Sequence, residues 1–171
     1  MTNNIDIAEK ARTMASTPKQ RQEIRSVAVI GNYLPRRCGI ATFTTDLVES
    51  LSAQAPDMDI WAAAMNDRPE GYPYPDKVRF EIGQSKLSDY GMASQFLNIN
   101  QTDIVCVQHE YGLFGGPAGG HLLKLLGDLH MPVVTTLHTV LKAPAPDYRD
   151  VLCRLSELSD KLVVMSHEAV G

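Results

Sequence analysis

The sequence predicts an α/β fold: a Rossmann-like, doubly wound, mostly parallel six-stranded sheet with helices on both faces. Three observations carry this prediction. Short apolar runs alternate with segments of helical periodicity along most of the 171-residue chain. Most of those runs are continuously apolar, as strands covered on both faces by helices are. The polar functional groups gather just after the apolar runs, at what would be one rim of a parallel sheet.

Taken in order, SVAVIGNY (26–33) is apolar up to Gly31 and predicts a buried strand. IATFTTDLVESLSAQ (40–54) sets Phe43, Leu47, Val48 and Leu51 on one helical face. DIWAAAM (59–65) is a second apolar run, and VRFEI (78–82) alternates with period two, which suits a strand nearer the sheet edge. SKLSDYGMASQFLNIN (85–100) reads as a weaker helix interrupted by Gly91, followed by a buried strand at DIVCVQ (103–108). GGHLLKLLGDLH (119–130) spaces Leu122, Leu125, Leu126 and Leu129 as a helix, and PVVTTL (132–137) is a β-branched strand. DYRDVLCRLSEL (147–158) puts Val151, Leu152, Leu155 and Leu158 on one face before a last strand at KLVVM (161–165). SHEAVG (166–171) reads as the start of another helix, with Ser166 as its cap.

Composition narrows the function. Residues 1–25 are polar and predict an arm or loose helix; 26–171 predict a single domain. With 44% hydrophobic and 21% charged residues the chain is of ordinary globular type. A net charge of -4 argues against nucleic acid as the main partner. No run has the length of a signal peptide core or a membrane span. Three cysteines, Cys38, Cys106 and Cys153, without CxxC spacing, argue against a disulfide framework or a metal site. A cytoplasmic setting is expected.

The rim residues are the candidates. After the first strand comes NYLPRRCGIATF, where Gly39 precedes a helix start able to receive a phosphate, with Arg36 and Arg37 beside it. Each has a plainer reading, Gly39 as a strand-to-helix turn and the arginines as a solvated pair. There is neither a GxGxxG nor a GxxxxGK[ST] motif, so dinucleotide and P-loop chemistry lose their support. After Gln108 comes HEYGLFGGPAGG, with His109, Glu110 and Tyr111 next to Gly115 and Gly116. The glycines suit either a tight turn or a close approach of ligand to backbone. On the second view, residues 111–119 are mobile until a ligand binds. His138 ends its strand directly, and Ser166, His167 and Glu168 follow the last strand as weaker candidates.

PRRCGIATFTTDLVESL, HEYGLFGG, VVTTLHTVL and SDKLVVMS, in this order, resemble the N-terminal domain of retaining family-4 glycosyltransferases of the GT-B fold. The resemblance spans residues 26–171. It implies that Gly39, Ile40 and Ala41 approach the diphosphate of a nucleotide-diphosphate sugar, the co-substrate, with no other cofactor. It implies that His138 reaches the transferred sugar. His109, Glu110 and Tyr111 would line the side of a sugar or glycoside acceptor. Many relatives carry two adjacent glycines where this chain has Cys38-Gly39. No counterpart of that family's C-terminal donor domain is present, so the sequence reads as a fragment, inactive alone and with no assignable catalytic residue. A half-cleft without its other half predicts self-association, most simply a homodimer, and leaves peripheral membrane contact open. Two other function classes stand beside this one. The first is a non-catalytic module binding a sugar, nucleotide or phosphometabolite. The second is a different Rossmann-like enzyme, such as an esterase or flavin protein, which the lack of GxSxG disfavours.

Overall fold

A computed structural model describes residues 23–165 of the chain. Six strands form one sheet: β1 (Ser26–Gly31), β2 (Asp59–Asn66), β3 (Val78–Gly83), β4 (Ile104–His109), β5 (Val133–Leu137) and β6 (Lys161–Val164). Their spatial order is β3-β2-β1-β4-β5-β6, and every neighbouring pair is parallel. The chain winds outward from β1 to β3, then crosses back and winds the other way from β4 to β6. This is the doubly wound Rossmann-like order. The reversal between β1 and β4 opens a crevice beyond their carboxyl ends.

Four helices cover the sheet: α1 (Gly39–Gln54), α2 (Leu87–Ile99), α3 (His121–Gly127) and α4 (Pro146–Glu157). The period of two in the strands sorts their side chains onto two cores. Val27, Val29, Ile60, Ala62 and Ala64 face α1 through Val48. Ala28, Ile30, Trp61, Ala63, Met65, Val105 and Val107 face α2, α3 and α4 through Tyr90, Leu97, Leu122, Leu125 and Leu155. Full burial of each large side chain stabilises the fold by about 1.5–3 kcal/mol. No helix among the described residues is long and apolar enough to cross a membrane.

The elements depart from the sequence reading in four places. Gly91 does not interrupt α2, which runs unbroken from Leu87 to Ile99. Its first turn is held from outside, because the Asp89 carboxylate accepts from the Gly83 amide (3.1 Å) and pairs with Lys86 (2.9 Å). Helix α3 is only 7 residues long, and Lys124 in its last turn pairs with Asp128, the residue that caps its end. Among the described residues both sheet edges are open, β3 as its alternation implies and β6 contrary to its apolar composition. Leu162, Val163 and Met165 of β6 and the residue after it are 43%, 44% and 57% exposed. Residues 1–22 of the expected arm and the helix start at 166–171 lie outside the described residues.

The fourth departure concerns residues 111–119, which are packed rather than loose. Leu113 and Phe114 are 4% and 3% exposed and belong to the larger core. The Gly115 amide donates to Tyr90 Oη (2.9 Å), which donates to the Gln84 carbonyl (2.8 Å), and Gln84 Nε2 donates to the Gly112 carbonyl (2.6 Å). A Cβ on Gly115 would overlap the Gln84 carbonyl oxygen, and one on Gly116 would meet the His121 ring at 2.5 Å. Gly112, Gly116 and Gly119 hold φ of 83°, 79° and 82°, where other residues are strained. The glycines let the loop sink onto the α2 and α3 ends.

The steric reading makes Gly115→Ala destabilising by at least about 2 kcal/mol, as overpacking against backbone does. Chemical denaturation of the variant checks this. A loss below about 0.5 kcal/mol would mean that the loop yields freely.

Candidate functional site

The crevice at the carboxyl ends of β1, β4 and β5 holds a hollow of about 480 Å³ between the start of α1 and the loops after β4 and β5. Gly39 and Ile40 form one wall; His138, Glu110, Tyr111 and Phe43 form the others. Cys38 caps α1 in extended conformation (φ -157°, ψ 160°), its sulfur accepting from the Ala41 amide at 3.4 Å and from Asn32 Nδ2 at 3.2 Å. Sulfur is a weak acceptor, and α1 has no acid in its first turn. The positive end of the helix dipole is therefore left largely uncompensated. A Cβ on Gly39 would meet nothing within 4 Å. Glycine at this position is not demanded by packing, and its effect is to leave the helix start bare. Ala41 is fully buried beneath this surface and does not reach the hollow.

His138 faces α1 across the hollow. Its Nε2 lies 3.0 Å from Oε1 of Gln108, and the Phe43 ring meets it edge-on at 4.7 Å. Gln108 is 1% exposed. Its amide oxygen accepts the Nε2 proton, so Nδ1 keeps the ring's lone pair. Burial lowers the pKa of His138, against the opposing charge of Glu110. A neutral imidazole with a fixed tautomer is suited to reading a hydroxyl rather than to binding an anion.

Glu110 lines the hollow, but its carboxylate is already committed. One oxygen accepts from Thr139 Oγ1 at 2.7 Å and the other from the Tyr111 amide at 2.9 Å. The residue thereby clamps the loop after β4 to the loop after β5. His109 sits behind this wall, 2% exposed, stacked on Phe114 at 6.0 Å with Tyr111 edge-on at 5.3 Å. Its pKa is lowered to about 4, chiefly by burial, with a further lowering from His138 and a partial reversal by Glu110. Tyr111 in turn meets Tyr148 of α4 at 5.0 Å. His109 Nδ1 and Tyr111 Oη are both buried without a partner among the described residues.

The two arginines separate. Arg36 donates to Asn32 Oδ1 (2.9 Å) and to the Met65 carbonyl (3.4 Å), and pairs with Asp67 (3.3 Å). It ties the loop after β1 to the end of β2 and keeps only an edge in the hollow. Arg37 turns to a neighbouring hollow on the β2 side. Gly115 and Gly116 lie away from both, in the packed turn. Ser166, His167 and Glu168 lie outside the described residues. Sequence reading did not single out Gln108, Asn32, Thr139 or Tyr148. Gln108 had left a signal, a lone polar residue closing an apolar strand. Among the described residues no cluster of three His, Cys, Asp or Glu side chains could hold a metal ion.

No protein-family model matches this chain, and no curated protein matches it. Among solved structures it is similar to the homoserine dehydrogenase of S. aureus, at 15% identity and a TM-score of 0.45. That match covers 86% of this chain and 33% of the other, so the chain spans about a third of that enzyme's length.

The buried His109 sets a pH dependence. An unfolded histidine takes up a proton near pH 6.5, whereas the folded one resists until about pH 4. The unfolded state therefore binds more protons between these values, and stability falls as pH drops through that window. The full loss amounts to about 3 kcal/mol, and none of it recurs below pH 4. Urea titrations between pH 7 and pH 4 should show this slope, and His109→Phe should flatten it by at least half. An unchanged slope would assign the acid sensitivity elsewhere.

Proposed function

We propose that the crevice binds a nucleotide-diphosphate sugar together with a sugar acceptor, as the acceptor-side domain of a retaining glycosyl transfer. The observation that carries this reading is the pairing of a bare helix start at Gly39 with a tautomer-fixed, neutral His138 across one hollow. The two ends suit the two halves of such a donor. Unpaired amides and the helix dipole at the start of α1 favour a diphosphate and the negative charge that grows on it as it departs. The free Nδ1 of His138 accepts a hydrogen bond from a hydroxyl of the transferred sugar. Tyr111 and Phe43 supply apolar ring surface for a sugar face.

A dinucleotide reading is disfavoured on the same residues. A nicotinamide site needs a tight glycine turn directly after β1 and an acid at the end of β2 that is open to a ribose. Here residues 32–38 intervene between β1 and α1. Asp67, the acid after β2, is occupied by Arg36 and by Tyr72 Oη at 3.0 Å.

Gly39→Ala separates stability from binding. Its backbone is not in the left-handed region and a methyl group meets no neighbour. The variant should gain about 0.4–1 kcal/mol from reduced unfolded-state entropy. Yet it should lose at least about tenfold in affinity for nucleotide-diphosphate sugars, because the methyl stands where the diphosphate approaches. His138→Ala should lower nucleotide-sugar affinity by a similar factor and leave the affinity for the bare nucleoside diphosphate within about twofold. Calorimetric titration of the purified chain reads both. Unchanged affinities in both variants would end the proposal.

A further inference from the structure

We infer that a second hollow, between the loops after β1 and β2, is a subsite for a phosphoryl group carried by the acceptor. The inference rests on the glycosyl-transfer reading above for the word acceptor, but the anion site stands on its own geometry.

This hollow, of about 500 Å³, adjoins the first across Arg36 and Cys38. Arg37, Arg68 and Tyr72 line it, with Arg36 and Asp67 at its floor. The acid in it is spent: the Asp67 carboxylate is shared between Arg36 Nη2 (3.3 Å) and Tyr72 Oη (3.0 Å). Arg68 is oriented from behind. Its Nε donates to the Gly71 carbonyl at 2.9 Å, and its guanidinium lies 3.8 Å from the centre of the Tyr72 ring. Gly71 reaches that position at φ 64°. The Nη groups of Arg68 make no hydrogen bond among the described residues. Glu70 comes within 3.7 Å of Arg68 Nε, with both side chains well exposed, a contact of the kind that contributes little. Arg37 has neither hydrogen bond nor ion pair among the described residues.

Two guanidinium groups without a committed carboxylate thus flank one hollow, in a chain whose net charge is -4. One is pre-oriented by a backbone carbonyl and an aromatic face, which lowers the entropy lost on binding. Paired planar forks match the oxygens of a phosphate. The two hollows share Arg36 and Cys38 in their walls, so the arginine side of this hollow lies next to the one His138 lines.

The probes are inorganic phosphate, glucose 6-phosphate and, as the neutral control, glucose, titrated into the full chain by calorimetry and 15N-resolved NMR. Glucose 6-phosphate should bind at least about tenfold more tightly than glucose, with shifts at Arg68 Nε and the Arg37 amide. The double variant Arg37→Gln, Arg68→Gln should remove that preference, and its unchanged melting temperature would show that folding is intact. His138→Ala should leave the preference in place. Loss of nucleotide-sugar binding with retention of this phosphate effect would sink the earlier reading alone. Equal affinity of the wild type and the double variant for glucose 6-phosphate would overturn the subsite. So would phosphate shifts confined to the amides of Gly39 to Ala41, which would place the anion at the helix start. Absence of any phosphate effect at millimolar concentration would overturn it as well.

Discussion

Gly31 has no side chain, and helix α1 occupies the space. A Cβ there would lie 2.9 Å from Thr44 Oγ1 and 3.1 Å from Gln108 Cβ. Three elements, β1, β4 and α1, meet at this one point with no room for a methyl group. The approach places the start of α1 over the reversal of strand order rather than off to one side. It also buries Gln108, whose amide oxygen then has His138 as its partner. The bare helix start, the fixed imidazole and the hollow between them all follow from a close contact that involves none of the atoms lining the hollow.

Rigidity is distributed around the hollow in an orderly way. Behind it, Phe114 and Leu113 anchor the loop after β4 in the core, and the Tyr90–Gln84 relay stitches that loop to the end of β3. Beside it, Glu110 bridges to Thr139 and so couples the loops after β4 and β5. On the other side, Arg36 couples the loop after β1 to the end of β2. A polar group spent on a neighbouring loop is lost to a ligand. The gain is that the remaining groups are held in place in advance, an arrangement that lowers the ordering cost of any binding.

His109 illustrates how burial changes a residue's role. It closes β4 and His138 follows β5 directly, yet one lies behind the wall and the other in it. Between them the pleat decides. His109 pairs in register with Leu137 and shares its face, toward the core of α2, α3 and α4. His138 comes one residue after Leu137, just past the end of β5, and turns to the opposite face, toward Phe43 of α1. A shift of one position separates a buried core ring from one that faces the hollow.

The sequence by itself determined the alternation of strands and helices, the doubly wound class, and the collection of His138, Glu110 and Gly39 at one rim. These depend on periodicity and on the direction of parallel strands, which local spacing reports. It also marked β3 as an edge, because period-two alternation betrays a half-wet face. Only the tertiary structure decided which rim groups remain available. Arg36 is consumed by Asp67, 31 positions away in sequence, and Arg37 is not. The glycines of 115–116 serve packing, since the atoms that exclude a Cβ belong to Gln84 and His121. Neither fact leaves a trace in composition or spacing. The Gln84 carbonyl that excludes a Cβ at Gly115 and the Asp67 carboxylate that pairs with Arg36 each lie about 31 positions away and are brought close only by the tertiary fold, so no short window of the sequence contains both partners.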